Sequence, residues 1–259
     1  MLKPINIKLV LICLLIGFLF YSCSTNKNAT ANSKAGVVIT FDDYFVNEWI
    51  EADILLSKYN WKATFCVSNF DQLNSSDISN LKQLQNNGHE IAGHGFFHLN
   101  AKEFTKKHGK QKYLETEIFP LIEAFKENEI VLETFAYPFG AKNQTLDFEL
   151  KKHFKIIRGT SKGNKKITDN SNFYNGTRTL NGIGIDSNYE HFNLSYLNKV
   201  LKYAKKHNKI VIFYAHKPVK SATNEFEVEF QTLNLICNYV VNNNLKFYTM
   251  KELYDLKKK

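Results

Sequence analysis

Apolar and polar positions follow two rhythms from Gly36 onward. "GVVITF" (Gly36–Phe41) is an unbroken apolar run of strand length, and "NEWIEADILLSKY" (Asn47–Tyr59) has the spacing of a helix with one apolar face. The alternation then repeats. "KATFCVS" predicts a strand, and "SDISNLKQLQNNG" a helix capped by Ser76 or Asp77 and stopped by Gly88. "HEIAG" predicts a short strand, and "KYLETEIFPLIEAFKEN" a long helix in which Pro120 is a poor fit. "LETFAYP" is a strand ended by Pro138, "TLDFELKKH" a short helix, and "FKIIRG" the next strand. A polar stretch, Thr160 to Gly176, predicts a surface loop. "TRTLNGIGI" is a strand, "NYEHFNLSYLNKVLKYAKKHN" a long helix and "KIVIFYAH" a strand buried on both faces. "EFEVEFQTLNLICNYVVNNN" predicts a helix, "LKFYTM" a strand and "KELYDLKK" a last helix. About eight short strands, most followed by a helix, imply a parallel sheet, closed as a barrel or open and doubly wound. No second composition regime and no internal repeat interrupts the pattern, so one domain is expected.

The N-terminus has a different pattern. Lys3 and Lys8 precede the apolar run "LVLICLLIGFLF", which is too short to span a membrane and about right for the core of a signal peptide. "YSC" follows. A small residue before cysteine at the end of such a segment resembles a bacterial lipoprotein signal, in which the cysteine, here Cys23, becomes the lipidated first residue. Residues 1–23 are thus expected to be a lipoprotein-type signal, with a plain cleaved signal or a short membrane anchor as the alternatives, 24–35 a flexible tether and 36–259 the folded domain. The expected location is the bacterial cell envelope, on the periplasmic side or outer surface. Of the cysteines beyond the signal, Cys66 and Cys237 lie in apolar runs and are expected as buried thiols.

Composition narrows the function classes. Hydrophobic residues make up 44% and charged residues 23%, the values of an ordinary globular chain. The net charge of +9 comes from scattered lysines; Arg158 and Arg178 are the only arginines. Nucleic-acid readout leans on arginine forks, so no nucleic-acid partner is expected, and a monomer with a lysine-rich solvated surface is.

In barrels of this kind the site lies at the C-terminal ends of the strands, and the polar residues there form a pattern. The first strand ends in Asp42 and Asp43. The third is followed by His94 and His98, within "GHEIAGHGFFHLN". The fourth ends in "AYPFG", with Tyr137, Pro138 and Phe139. "FYAH" ends in His216. Each piece alone has a structural explanation, as a helix cap, a turn or a hydrogen-bonded histidine. Together, two imidazoles and a carboxylate suit zinc or a similar divalent ion with positions left open. A second carboxylate and a further histidine are then available as base and acid. His89 is read as a structural residue of the strand leading to the site, and Phe96 and Phe97 as the wall of the ligand turn.

"TFDD", "HGFFH", "AYPFG" and "FYAH", in this order, resemble the motifs of the polysaccharide deacetylase (NodB-homology, carbohydrate esterase family 4) family over Gly36 to about Leu253. The resemblance implies a distorted (β/α) barrel of about seven strands holding one divalent metal, Zn2+ first, with Co2+, Ni2+ or Mn2+ as alternatives. It implies Asp43, His94 and His98 as metal ligands, Asp42 as catalytic base and His216 as catalytic acid. Tyr137, Pro138 and Phe139 would lie at the oxyanion and substrate site, with the backbone N–H near Phe139 as a donor. The implied reaction is hydrolysis of N-acetyl groups on an acetylated glycan. Removal of O-acetyl esters from xylan or another glycan is one alternative, and a non-catalytic, lipid-tethered carbohydrate-binding protein the other. The chain departs from the family in several places: Phe139 replaces the usual tyrosine after the proline, and the arginine and tryptophan elements of the fourth motif are not evident. Gly95 stands where a serine or threonine usually steadies the ligand loop, and Ala136 where an arginine usually orients the base. Arg158 and Arg178 are the candidates to replace that arginine.

Overall fold

The parity of the first strand sets which side chains face into the barrel and which face the helices. The computed structural model describes residues 34–163, 166–169 and 171–256; the signal-type segment with Cys23, and most of the tether, lie outside the described residues. In strand β1 (Gly36–Asp43), Val37, Ile39 and Phe41 pack outward with the helices, while Val38 belongs to a second, inner apolar cluster. Side chains of a strand alternate between faces, so Thr40 and Asp42 continue the inner row. Strands β2 (Thr64–Val67), β3 (Glu90–Gly93), β4 (Thr134–Ala136), β5 (Ile156–Ser161), β6 (Thr179–Gly184) and β7 (Ile210–Ala215) follow. All pair in parallel in chain order, and β7 returns to pair with β1 along Gly36–Phe41, which closes a barrel of seven strands.

The helices are α1 (Val46–Leu56), α2 (Ser75–Asn86), α3 (Ala101–His108), α4 (Lys110–Tyr113), α5 (Phe119–Glu127), α6 (Gln144–His153), α7 (Leu194–Lys206), α8 (Phe230–Asn242) and α9 (Met250–Leu256). The larger apolar cluster lies between them and the barrel wall. The bottom of the barrel is sealed by a buried carboxylate. Glu90 accepts hydrogen bonds from the hydroxyls of Thr64 and Thr134 and from the Lys251 N–H in the first turn of α9.

Several sequence expectations are corrected. The cap of α2 is Asn74, in a reciprocal box with Asp77, rather than Ser76 or Asp77. A π turn, Leu114–Ile118, joins α4 to α5 and puts Pro120 in the first turn of α5, where a missing N–H costs nothing. The helix expected from Asn188 begins only at Leu194, capped by the Asn193 side chain. The helix expected from Glu225 begins at Phe230, because Glu227–Glu229 (β9) pairs with Lys217–Val219 (β8) in a separate ribbon. Strand β10 (Lys246–Tyr248) pairs with the start of β1, beside β2. Part of the polar stretch is not a surface loop: the backbone at Asn172 and Tyr174 bonds to Ile212 and Ile210, below the level at which β6 reaches β7. Cys66 and Cys237 are free and buried, as expected.

Candidate metal centre and proton-transfer site

The C-terminal ends of the barrel strands open on a cavity of about 290 Å3 lined by Asp42, Asp43, His94, His98, His216 and several aromatic side chains. Asp42 reaches it by the alternation of β1. Asp43 has the wrong parity, but it is the last residue of the strand, its φ of 82° departs from strand geometry, and its carboxylate lines the same cavity. His94 follows β3 and is buried. His98 sits four residues on, at φ 60°, where the chain turns back over the mouth.

Three of these groups form a donor set. The His98 Nε2 lies 3.2 Å and the His94 Nε2 3.7 Å from Asp43 Oδ1, and the three ligand atoms lie within 4.8 Å of one another. A tetrahedral ion with bonds of about 2.0–2.1 Å needs ligand atoms about 3.3 Å apart, close to the two separations from Asp43. The tautomer of His94 also fits. Its Nδ1 lies 2.9 Å from the Ala136 carbonyl oxygen, which can only accept, so Nδ1 carries the proton and Nε2 presents a lone pair. Burial, with His98 and Arg158 nearby, pushes the His94 pKa down to about 4, which keeps the ring neutral at neutral pH. Burial alone would raise the Asp43 carboxyl, but the hydrogen bond from His98 and the neighbouring histidines outweigh it and hold it at about 2.

Asp42 and His216 each have a buried partner. The Nη2 of fully buried Arg158 donates to both oxygens of Asp42, at 2.5 and 2.6 Å. Burial opposes the Asp42 charge, yet Arg158, with His94 and His216 behind it, holds the carboxyl below its ordinary range. Arg158 enters the barrel from β5 in register with Ala136 of β4. The guanidinium absent at Ala136 is therefore supplied one strand away at the same height. Arg178 does not approach the site. It donates to the carbonyls of Lys151, Phe154 and Lys155 and ties down the end of α6.

His216 follows β7. Its Nδ1 lies 2.7 Å from Asp186 Oδ2, and its backbone N–H donates to Asp186 Oδ1 at 3.0 Å. Burial works against an imidazolium there, but the hydrogen bond and charge of Asp186 prevail and raise the His216 pKa. Sequence reasoning missed Asp186, whose one signal was a carboxylate closing "NGIGID" at a strand end. It also missed Tyr189, Tyr214 and Phe226, which line the cavity. Phe226 had no signal, because its stretch reads as helix.

The turn after β4 divides its residues. Tyr137 is buried, with its hydroxyl donating to Asp147, and Pro138 is buried beside it. Phe139, at φ 57°, is 65% exposed, and its ring lies 4.7 Å from that of His98 at the mouth. Phe226 flanks His216 in the same way, with ring centres 5.0 Å apart. His89 is structural: its Nδ1 accepts from Ala63 N–H, and its Nε2 lies 2.8 Å from Asp53.

Comparison with known proteins gives the following. Residues 29–154 match the family model described as polysaccharide deacetylase. No curated protein matches significantly. Among solved structures, the chain is similar to the Xyl-CE4 domain of a multidomain xylanase from the hindgut metagenome of Trinervitermes trinervoides. Identity is 17%, coverage 86% of this chain and 91% of that one, and the TM-score 0.54. It is similar to the catalytic domain of a peptidoglycan N-acetylglucosamine deacetylase from Eubacterium rectale at 16% identity, covering 83% and 88%, with a TM-score of 0.51. It is also similar to a family 4 acetyl xylan esterase from Clostridium thermocellum, solved with a cobalt ion, at 18% identity, 86% and 91% coverage and a TM-score of 0.52. At these identities the likeness is one of fold.

Proposed function

From the premise that this chain resembles the polysaccharide deacetylase (NodB-homology) family, we propose that it hydrolyses N-acetyl groups on an amino-sugar glycan. The observation that carries this reading is the pairing at one cavity: an Asp42 carboxylate whose charged form Arg158 favours and a His216 imidazole whose protonated form Asp186 favours. Amide hydrolysis needs both, because water must lose a proton and an amine leaves poorly without gaining one.

Asp43, His94 and His98 would hold the divalent ion, with zinc favoured by the nitrogen-rich donor set. The bound ion would supply Lewis-acid polarisation of the acetyl carbonyl and a more acidic water. Asp42, oriented by Arg158, is the group placed to accept a proton from the attacking water. The backbone N–H of Phe139 helps hold the oxyanion. His216 gives its proton to the leaving nitrogen and draws on Asp186 for orientation. Phe139 and Phe226 form apolar walls beside His98 and His216, suited to the faces of a sugar ring. The chain is further proposed to be exported, tethered to a cell-envelope membrane through lipid on Cys23, and monomeric.

One neighbour in fold is named an acetyl xylan esterase, and ester cleavage makes less demand on the acid. The His216–Asp186 pair favours the amide. Acetate release from chitin oligomers, poly-N-acetylglucosamine, peptidoglycan and acetylxylan, with and without chelator, tests the choice. Chelator-sensitive release from the N-acetylated glycans is expected. Release from acetylxylan alone would replace the reading with the esterase, and release from none would favour a carbohydrate-binding protein.

A further inference from the structure

We propose that Glu117 is the positioning residue for the second histidine of the metal site, so that a buried carboxylate on the π turn sets metal affinity. The inference rests on the reading of Asp43, His94 and His98 as ligands. Those two histidines are held very differently. His94 is anchored by β3 and by the Ala136 carbonyl, whereas His98 stands on a loop with φ 60°, a conformation that non-glycine side chains adopt under strain. Something outside the loop must hold it.

Glu117 fills that role. Its side chain is fully buried under the loop. Oε1 accepts the Phe97 N–H at 3.0 Å and Oε2 the Leu99 N–H at 3.3 Å, the amides on either side of His98. The Glu117 carbonyl accepts the Phe96 N–H at 3.2 Å. Three loop amides thus end on one residue. Gly95 is the complementary partner: it has φ 83°, and a Cβ there would stand 2.3 Å from Glu117 Oε2. The loop turns at Gly95 with the carboxylate occupying the space a side chain would need. Glu117 lies within the π turn Leu114–Ile118, a local widening of the kind frequent at functional sites.

The test compares the wild-type chain with Glu117→Gln, Glu117→Ala and, as a control, Glu90→Gln. Glu90 is a similarly buried, N–H-accepting carboxylate at the opposite end of the barrel. Co2+ is titrated in competition with a chelator. Exchange of the Phe97 and Leu99 amides is followed in chelator-treated protein, with thermal midpoints alongside. Groups that orient ligands from behind typically change metal affinity ~10–100-fold. A loss in that range is expected for Glu117→Ala and a smaller one for Glu117→Gln, with faster exchange at both amides. Glu90→Gln should lower the midpoint but leave Co2+ affinity as in the wild type. Wild-type affinity in both Glu117 variants overturns the proposal, as does an equal loss in Glu90→Gln, which would mark general destabilisation. Should Glu117→Ala not fold, Glu117→Gln decides. Should the wild type bind no Co2+, the metal reading fails on its own account. Amide exchange in the metal-free protein then decides, and unchanged exchange overturns the loop role.

Discussion

Replacing Arg158 by methionine keeps an unbranched, largely apolar stem and removes the guanidinium that touches both oxygens of Asp42. Both residues lie inside the barrel, and Arg158 is fully buried. Removing one member of a buried pair leaves the other charge without compensation, at a cost of about 3–5 kcal/mol. For a domain of this size that corresponds to a fall of about 6–20 °C in melting temperature at neutral pH. The pH dependence is more diagnostic than the size. In the wild type the Asp42 pKa lies below its unfolded value, so its stabilisation is complete above the ordinary carboxylate range and is lost as pH falls through the folded value. In the variant burial remains and Arg158 is gone. The carboxyl then prefers its proton, and stability is lost as pH rises instead. Scanning calorimetry with chelator present, at about pH 5 and about pH 8, should find the gap between wild type and variant narrower at the lower pH. A gap of equal size at both would refute the claim that Arg158 acts through the charge of Asp42. Acetate release should fall with it, and its acidic limb should move to higher pH.

Asp186→Asn removes the charge that raises His216, so the basic limb of kcat/KM against pH should move down; an unmoved limb would take His216 out of the acid role. Asp42→Asn should keep metal and lose ~10²–10⁴-fold in turnover, whereas His94→Ala should lose metal. Full turnover in the first removes Asp42 as base, and equal metal content in the second removes His94 as ligand. Phe226→Ala should raise KM for an N-acetylated oligosaccharide several-fold with no change in the Co2+ absorption spectrum. An unaltered KM would leave Phe226 outside the substrate path.

How much was legible can be argued from single residues. The strand-end residues Asp42, Asp43, His94, His98 and His216 were readable because a parallel barrel brings all its strand ends to one face, whatever their separation in sequence. Helix starts were less legible. The segments at Asn188 and Glu225 are amphipathic enough to read as helix. The structure spends them instead on the cavity wall and on the β8–β9 ribbon, because Ser187 N–H bonds to Glu227 and Phe226 N–H to Asn188. Such contacts span tens of residues and leave no local pattern.

Closure into a barrel was implied only by the family resemblance, but the sequence by itself determined most of the succession of elements, a parallel sheet and five polar residues at its strand ends. These follow from hydrophobic periodicity and short connections, which are local properties. Only the tertiary structure decided between Arg158 and Arg178, and it did so by parity and register: Arg158 shares the inner row of β5 at the height of Ala136, while Arg178 lies at the end of α6. It also brought Asp186 to His216 and Glu117 beneath Gly95, across separations of 30 and 22 positions. Partners that distant meet only when the barrel closes. Closure also removes them from water, which gives the Asp42–Arg158 and Asp186–His216 pairs their effect on proton affinity.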